Sequence, residues 1–194
     1  TAIFVFISGT VLVRGFFYTP SDEIQLPNYL EKSLVKKPEF DPKINNNSYP
    51  KRLHIPVLNL NAKIQHVGIT KKGNMAAPNN FVDVGWYKYG TLPGKRGSAI
   101  VAGHVDNGFA LPAVFNKLNT LKKGDNIYIE SENGEIIRFA VTESKIYDFD
   151  AKTEEIFNQN DGTLLKLITC AGVWTQKYRT RDKRLVVTST KIPS

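Results

Sequence analysis

The 194-residue chain has little of the chemistry that usually staples a small domain: one cysteine, one methionine and three histidines. A single Cys excludes an intramolecular disulfide framework, so the core must hold without cross-links. It also excludes a zinc finger or ribbon, which needs at least two thiolates. His54, His66 and His104 leave little material for another metal site. No dense set of carboxylates suggests calcium either, so no metal and no cofactor are expected. No fixed-period repeat is visible, which removes solenoids and propellers. A hydrophobic fraction of 41% excludes a wholly disordered chain and a multi-span membrane protein. The net charge of +8 allows an anionic partner such as lipid head groups or wall polymers. No nucleic-acid-binding motif accompanies it, and no nucleic-acid partner is expected.

What is present divides the chain into three. Residues 1–19 open with an apolar run, Thr1 to Val13, interrupted by Arg14 and resumed by Phe16, Phe17 and Tyr18. Thirteen helical residues cover about 20 Å, short of the roughly 30 Å hydrocarbon core, so an earlier segment would complete a membrane span. Arg14 would then snorkel to the head groups beside the aromatic anchors. A buried helix of the domain and a cleaved signal peptide are the other readings of this run. Flanking charge does not reveal the orientation. Residues 20–50, with Pro20, Pro27, Pro38, Pro42 and Pro50, read as a linker holding at most a short helix within 22–36.

From Lys51 the texture changes to short apolar runs broken by turn signals. Segments 52–57, 62–67, 98–102, 126–131, 135–142, 144–149, 164–170 and 184–192 read as strands. Lys72-Gly73-Asn74 reads as a turn and Asn133-Gly134 as a tight hairpin. Helical patches are expected at 112–118 and 153–158. This spacing predicts an all-β domain over 51–194 with short helices, either a barrel or a sandwich.

Three residues at strand ends carry chemistry. Cys170 ends the apolar strand Leu167-Ile168-Thr169-Cys170 and runs into Ala171-Gly172. A strand end opening into small residues is where a rigid scaffold presents a reactive group. A lone Cys is also commonly a small buried hydrophobe. His104 ends the strand 98–102 just after Gly103, where an imidazole can exchange protons near neutral pH or simply cap a loop. His54 and His66 lie within strand patterns and are assigned to structure. A basic cluster, Arg179, Arg181, Lys183 and Arg184, leads into Leu185-Val186-Val187, and any one of these is either a solvated charge or a hydrogen-bond fork for an oxyanion. Thiol, imidazole and guanidinium together make a thiol acyl-transfer set.

These segments resemble sortases. An apolar residue, any residue, then Thr169-Cys170 matches their signature. Ala102-Gly103-His104-Val105-Asp106 resembles their His segment, and Arg184-Leu185-Val186-Val187 their Arg-bearing final strand. The likeness extends over 51–192. Val84 to Tyr87, Pro93-Gly94, Gly97-Ser98-Ala99 and Pro112 to Phe115 resemble class F more than classes A to C. Asp41-Pro42 is similar to the start of a class C lid, but Lys43 follows where an aromatic would stand, and no lid is inferred.

The resemblance implies a closed eight-stranded β-barrel behind an N-terminal membrane helix, with the domain outside the cell. It implies a cysteine transpeptidase acting on secreted proteins with an LPXTG-like sorting signal, and an amine acceptor from the cell wall or a pilin Lys. By position, Cys170 is the nucleophile, His104 the general acid and base, and Arg184, with Arg181 as the alternative, the oxyanion residue. Thr169 orients the substrate or the loop. The segment 171–183 is read as a loop, whose Trp174 and Tyr178 either border the groove, with Trp174 as a substrate contact, or pack on the barrel. Two other functions stay open: a thiol peptidase that hydrolyses, and a non-catalytic barrel that holds anionic wall polymers.

Overall fold

A computed structural model describes residues 48–151, 154–157 and 162–193. Strands β1 (Pro50–Ile55), β2 (Leu60–Val67), β3 (Val84–Tyr87), β4 (Gly97–Ala102), β5 (Asn126–Ser131), β6 (Ile136–Asp148), β7 (Thr163–Thr175) and β8 (Thr180–Lys191) are joined by one short helix, α1 (Glu154–Phe157). They close into a barrel in the order β1-β2-β3-β4-β7-β8-β6-β5. Closure removes the open sheet edges that a sandwich would leave. The anchor and most of the linker expected from the sequence lie outside the described residues. Among the described residues, no helix is long and apolar enough to cross a membrane.

Period-two alternation decides which side chains go inside. Leu53, Ile55, Ile127, Ile129, Phe139, Leu165, Leu167 and Val187 fill the barrel interior. A second cluster lies on the outer wall of β4, β7 and β8, where Ile100, Ala102, Ile168 and Val186 meet Val67, Met75, Tyr87 and Ile156. Strand β4 is therefore covered on both faces, which is why Ser98 to Ala102 shows no polar alternation. Its neighbour β7 runs parallel to it, with Ala102 opposite Ile168.

Several sequence expectations shift. The runs 135–142 and 144–149 are one thirteen-residue strand, β6, whose irregularity between Val141 and Glu143 breaks the alternation. Strand β3 escapes pattern reading because it has only four residues, all buried. No helix forms over 112–118: the Ala113 and Phe115 amides donate to the carbonyls of Val105 and His104, and only a 3₁₀ turn follows at Leu118–Thr120. The segment 171–183 is not a loop. β7 and β8 continue through it as a hairpin that turns at Gln176 to Arg179. Both faces of this arm meet water, with Val173 and Tyr178 exposed, so it carries no apolar run. The hairpin at Asn133-Gly134 forms as expected, with Gly134 at φ 83°.

Phe139 has no exposed surface and sits at the centre of the interior cluster. Phe139→Ala is expected to cost about 3–5 kcal/mol of unfolding free energy in urea titration. A loss below about 1 kcal/mol would show that the interior is not packed as described.

Candidate active site

The site is built on the outer wall where β4, β7 and β8 run side by side. Cys170 and Arg184 are register partners across β7 and β8. Their neighbours on the same face, Ile168 two residues before Cys170 and Val186 two residues after Arg184, belong to the outer cluster, so Cys170 and Arg184 continue that row. The chain beyond β4 keeps its place beside β7. Gly103 donates its amide to the Ile168 carbonyl at 3.0 Å, and Thr169 Oγ1 donates to the Gly103 carbonyl at 2.8 Å. These two bonds carry Gly103 and His104 alongside Thr169 and Cys170. Glycine is required at 103, because a Cβ would stand 2.5 Å from the Phe115 ring.

Ala77, Pro78, Ala102, Gly103, Ile168, Thr169, Cys170 and Arg184 enclose a cavity of about 10 Å³, room for roughly one water molecule. Cys170 is 3% exposed, His104 4% and Arg184 6%. The structure thus brings Cys170, Thr169 and Arg184 into one pocket. His104 stands behind the wall: the residue before it lines the pocket, and its Nε2 lies 3.0 Å from the carbonyl of Pro78, another lining residue. A carbonyl only accepts, so Nε2 carries the proton in this contact. The Phe81 ring packs on the imidazole at 5.0 Å between centroids.

The guanidinium of Arg184 is held by its own strand. Nη1 donates to the carbonyls of Arg181 (2.8 Å) and Lys183 (2.9 Å), and Nη2 to Thr180 Oγ1 at 3.0 Å. Its Nε is buried with no hydrogen-bond partner. A buried orphan donor is costly, and beside a thiol it is a ready partner for a carbonyl oxygen that gains negative charge. The rest of the basic cluster is committed elsewhere. Arg181 pairs with Asp106, and Lys183 pairs with Asp148, which raises the Lys183 ammonium above its ordinary value. Arg179, at φ 54°, forms the hairpin turn.

Trp174 does not reach the pocket. It lies on the projecting arm, 41% exposed, beyond a register shift that follows Ala171. His66 and His54 lie away from this pocket: His66 Nε2 is 3.0 Å from the Pro50 carbonyl, and the exposed His54 ring stands beside Tyr128. No group of His, Cys, Asp and Glu able to hold a metal ion is found among the described residues.

Sequence reasoning missed the cover over the thiol. Ala77 and Pro78 sit in an irregular segment between β2 and β3 that has no periodic pattern. The segment is tied down by polar side chains. Gln65 Nε2 donates to Asn79 Oδ1 (2.8 Å) and to Asp83 Oδ2 (3.0 Å), and Gln65 Oε1 accepts from the Asn79 amide. Asn80 Nδ2 donates to Asp83 Oδ2 at 2.7 Å, while its Oδ1 accepts from the Val82 and Asp83 amides. A cluster of Asn and Asp around one Gln was the only available signal, and it resembles any polar turn.

Comparison with known proteins follows this geometry. The family model described as a sortase domain matches residues 53–192. Among solved structures, Streptococcus agalactiae sortase C1, in complex with MTSET, is 25% identical with a TM-score of 0.57; the match covers 74% of this chain and 67% of that one. Sortase C-1 from Actinomyces oris is 23% identical over 92% of this chain and 89% of that one, with a TM-score of 0.57. A lid mutant of sortase A from Corynebacterium diphtheriae is 21% identical over 86% and 80%, with a TM-score of 0.58. The latter two speak for the fold alone. No curated protein matches the sequence.

Hydrogen bonds from Asn80 and then Gln65 hold the Asp83 carboxyl below its ordinary value. A carboxyl lowered on folding adds stability that is present above its unfolded value, near pH 4, and is lost as pH falls through the folded value. The melting temperature of Asp83→Asn is therefore expected to lie below wild type at neutral pH, the gap narrowing below about pH 4. A gap that stays constant into acid would refute the assignment.

Proposed function

The chain belongs to the sortase family, and from that premise we propose that it is a cysteine transpeptidase with Cys170, His104 and Arg184 as its reacting groups. The observation that carries the reading is the pairing of Cys170 with Arg184 in one pocket, beside the Gly103-His104 extension of β4. The substrate is a secreted protein with an LPXTG-like sorting signal. His104 takes the thiol proton, and the Cys170 sulfur attacks the Thr carbonyl of the signal. Arg184 Nε–H donates to the oxyanion of the tetrahedral intermediate. The C–N bond breaks, the leaving amine takes the proton from His104, and a thioester remains on Cys170. An amine from a cell-wall peptide or a pilin Lys then attacks, gives its proton to His104, and releases the sulfur.

The signal reaches the sulfur past Ala77 and Pro78, which line the small pocket beside Cys170. Thr169 acts by holding Gly103 in place, a role supported by its hydrogen bond. Residues 1–19 serve as a membrane anchor and 20–47 as a spacer, with the barrel extracellular; Tyr49 and Pro50, expected in the linker, belong to the core and to β1. Within the family we favour the class F type, on the likeness of Val84 to Tyr87 and Pro112 to Phe115.

The test incubates the chain with a quenched LPXTG-type peptide and an amine. Intact mass is expected to show a thioester on Cys170, followed by an amine-linked product. Cys170→Ala should abolish both, and Arg184→Ala should lower kcat about 10²–10³-fold. Turnover that persists without the thiol ends the proposal. Hydrolysed peptide alone, at saturating amine, would reassign the protein as a peptidase.

A further inference from the structure

One other residue reaches the surroundings of all three reacting groups: the Arg181 side chain touches the segments that follow His104 and Cys170, and its backbone carbonyl holds Arg184. Arg181 Nη2 pairs with Asp106 Oδ2, two residues after His104. Arg181 Nη1 donates to the Gly172 carbonyl at 2.6 Å, two residues after Cys170. The Arg181 carbonyl accepts from Arg184 Nη1 at 2.8 Å. Arg181 does not line the thiol pocket. We propose that Arg181, with Asp106 as its counter-ion, is the positioning residue that straps the segment after His104 to the segment after Cys170 and so fixes the reacting geometry; this rests on the transpeptidase reading above.

The surroundings are built for such a strap. Beyond Ala102 and Ile168 the β4–β7 ladder has ended, and two bonds at Gly103 continue it. Beyond Ala171 the β7–β8 register slips before resuming at Trp174. At that slip Gly172 adopts φ +75°, and a Cβ there would stand 2.1 Å from Asp182 Oδ1. Asp182 Oδ1 accepts from the Val173 amide at 2.8 Å, which fixes the irregular backbone whose carbonyl faces Arg181. On the other side, Asp106 is bridged to Pro112, and Asn107 donates its amide to Leu111, so the carboxylate stands on a closed loop. The fork geometry matters. A guanidinium reaches a carboxylate and a carbonyl at once, whereas an ammonium concentrates its charge at one point. Both partners are partly buried, which shields the pair from the screening that makes exposed pairs weak.

The strap acts on geometry, so its loss should fall on the rate of reaction and not on peptide affinity. Misplacement by an ångström costs a reacting constellation on the order of 10²-fold. The experiment compares Arg181→Gln, Asp106→Asn, their double variant and Arg181→Lys in the chain. It reads kcat and KM of acylation by an LPXTG-type peptide and, without peptide, the alkylation rate of Cys170 by iodoacetamide. Each single variant is expected to lose about 10–100-fold in kcat with KM nearly unchanged. The double variant should lose no more than the worse single, because both remove one interaction. Arg181→Lys should recover part of the loss. The alkylation rate should shift by the same factor in the two singles and the double. Additive losses, or singles that keep both wild-type kcat and wild-type alkylation, overturn the strap. If wild type accepts no peptide, the transpeptidase reading fails while alkylation still judges the strap.

Discussion

The parallel seam between β4 and β7 is the constraint on which the rest of the site depends. Its last rungs are the Gly103 amide on the Ile168 carbonyl and the Thr169 hydroxyl on the Gly103 carbonyl. Each such bond contributes only about 1 kcal/mol to stability. Their importance is positional. They carry the β4 chain past its final ladder residue and set an imidazole next to the strand that bears the thiol. The absence of a Cβ at 103 lets the backbone pass over the Phe115 ring, so packing and hydrogen bonding select the same path.

The barrel then separates two tasks by face. Alternate residues of β7 and β8 enter the interior, where Leu165, Leu167 and Val187 are fully buried. The intervening residues form the outer row that ends in Cys170 and Arg184. The interior supplies stability, while the outer row gives some of it up. A buried guanidinium nitrogen without a partner is the kind of local inconsistency that native structures retain where chemistry needs it. The Gln65, Asn79, Asn80 and Asp83 cluster offsets part of that cost by securing the segment that closes over the thiol.

Much of this was legible in the residues. The apolar runs before Cys170 and His104 both form strands, although β7 continues past Cys170 to Thr175 instead of ending there. The tally of eight strands was right for partly wrong reasons: β6 was divided in two, and the four-residue β3 was passed over. Choosing between Arg181 and Arg184 needed cross-strand register, which no linear pattern contains. The arm beyond Ala171 looked like a loop because neither of its faces is covered. Pro78 and Ala77 gave no warning, since covering a pocket requires no periodicity. Trp174, an aromatic close to the thiol in sequence, is carried off along the arm.

The seam between β4 and β7 also sets when the site exists. Parallel neighbours cannot be joined by a tight turn, and here β5, β6 and α1 all intervene. About sixty residues must be looped out before the two strands meet, a closure that is slow for entropic reasons. A chain that has built only its local hairpins therefore carries an ordinary thiol with no imidazole at hand. Because it is the sole sulfhydryl, it cannot be trapped in a wrong internal bridge while it waits. The pocket that holds Cys170 and Arg184 is therefore a product of the completed topology and not of any local segment.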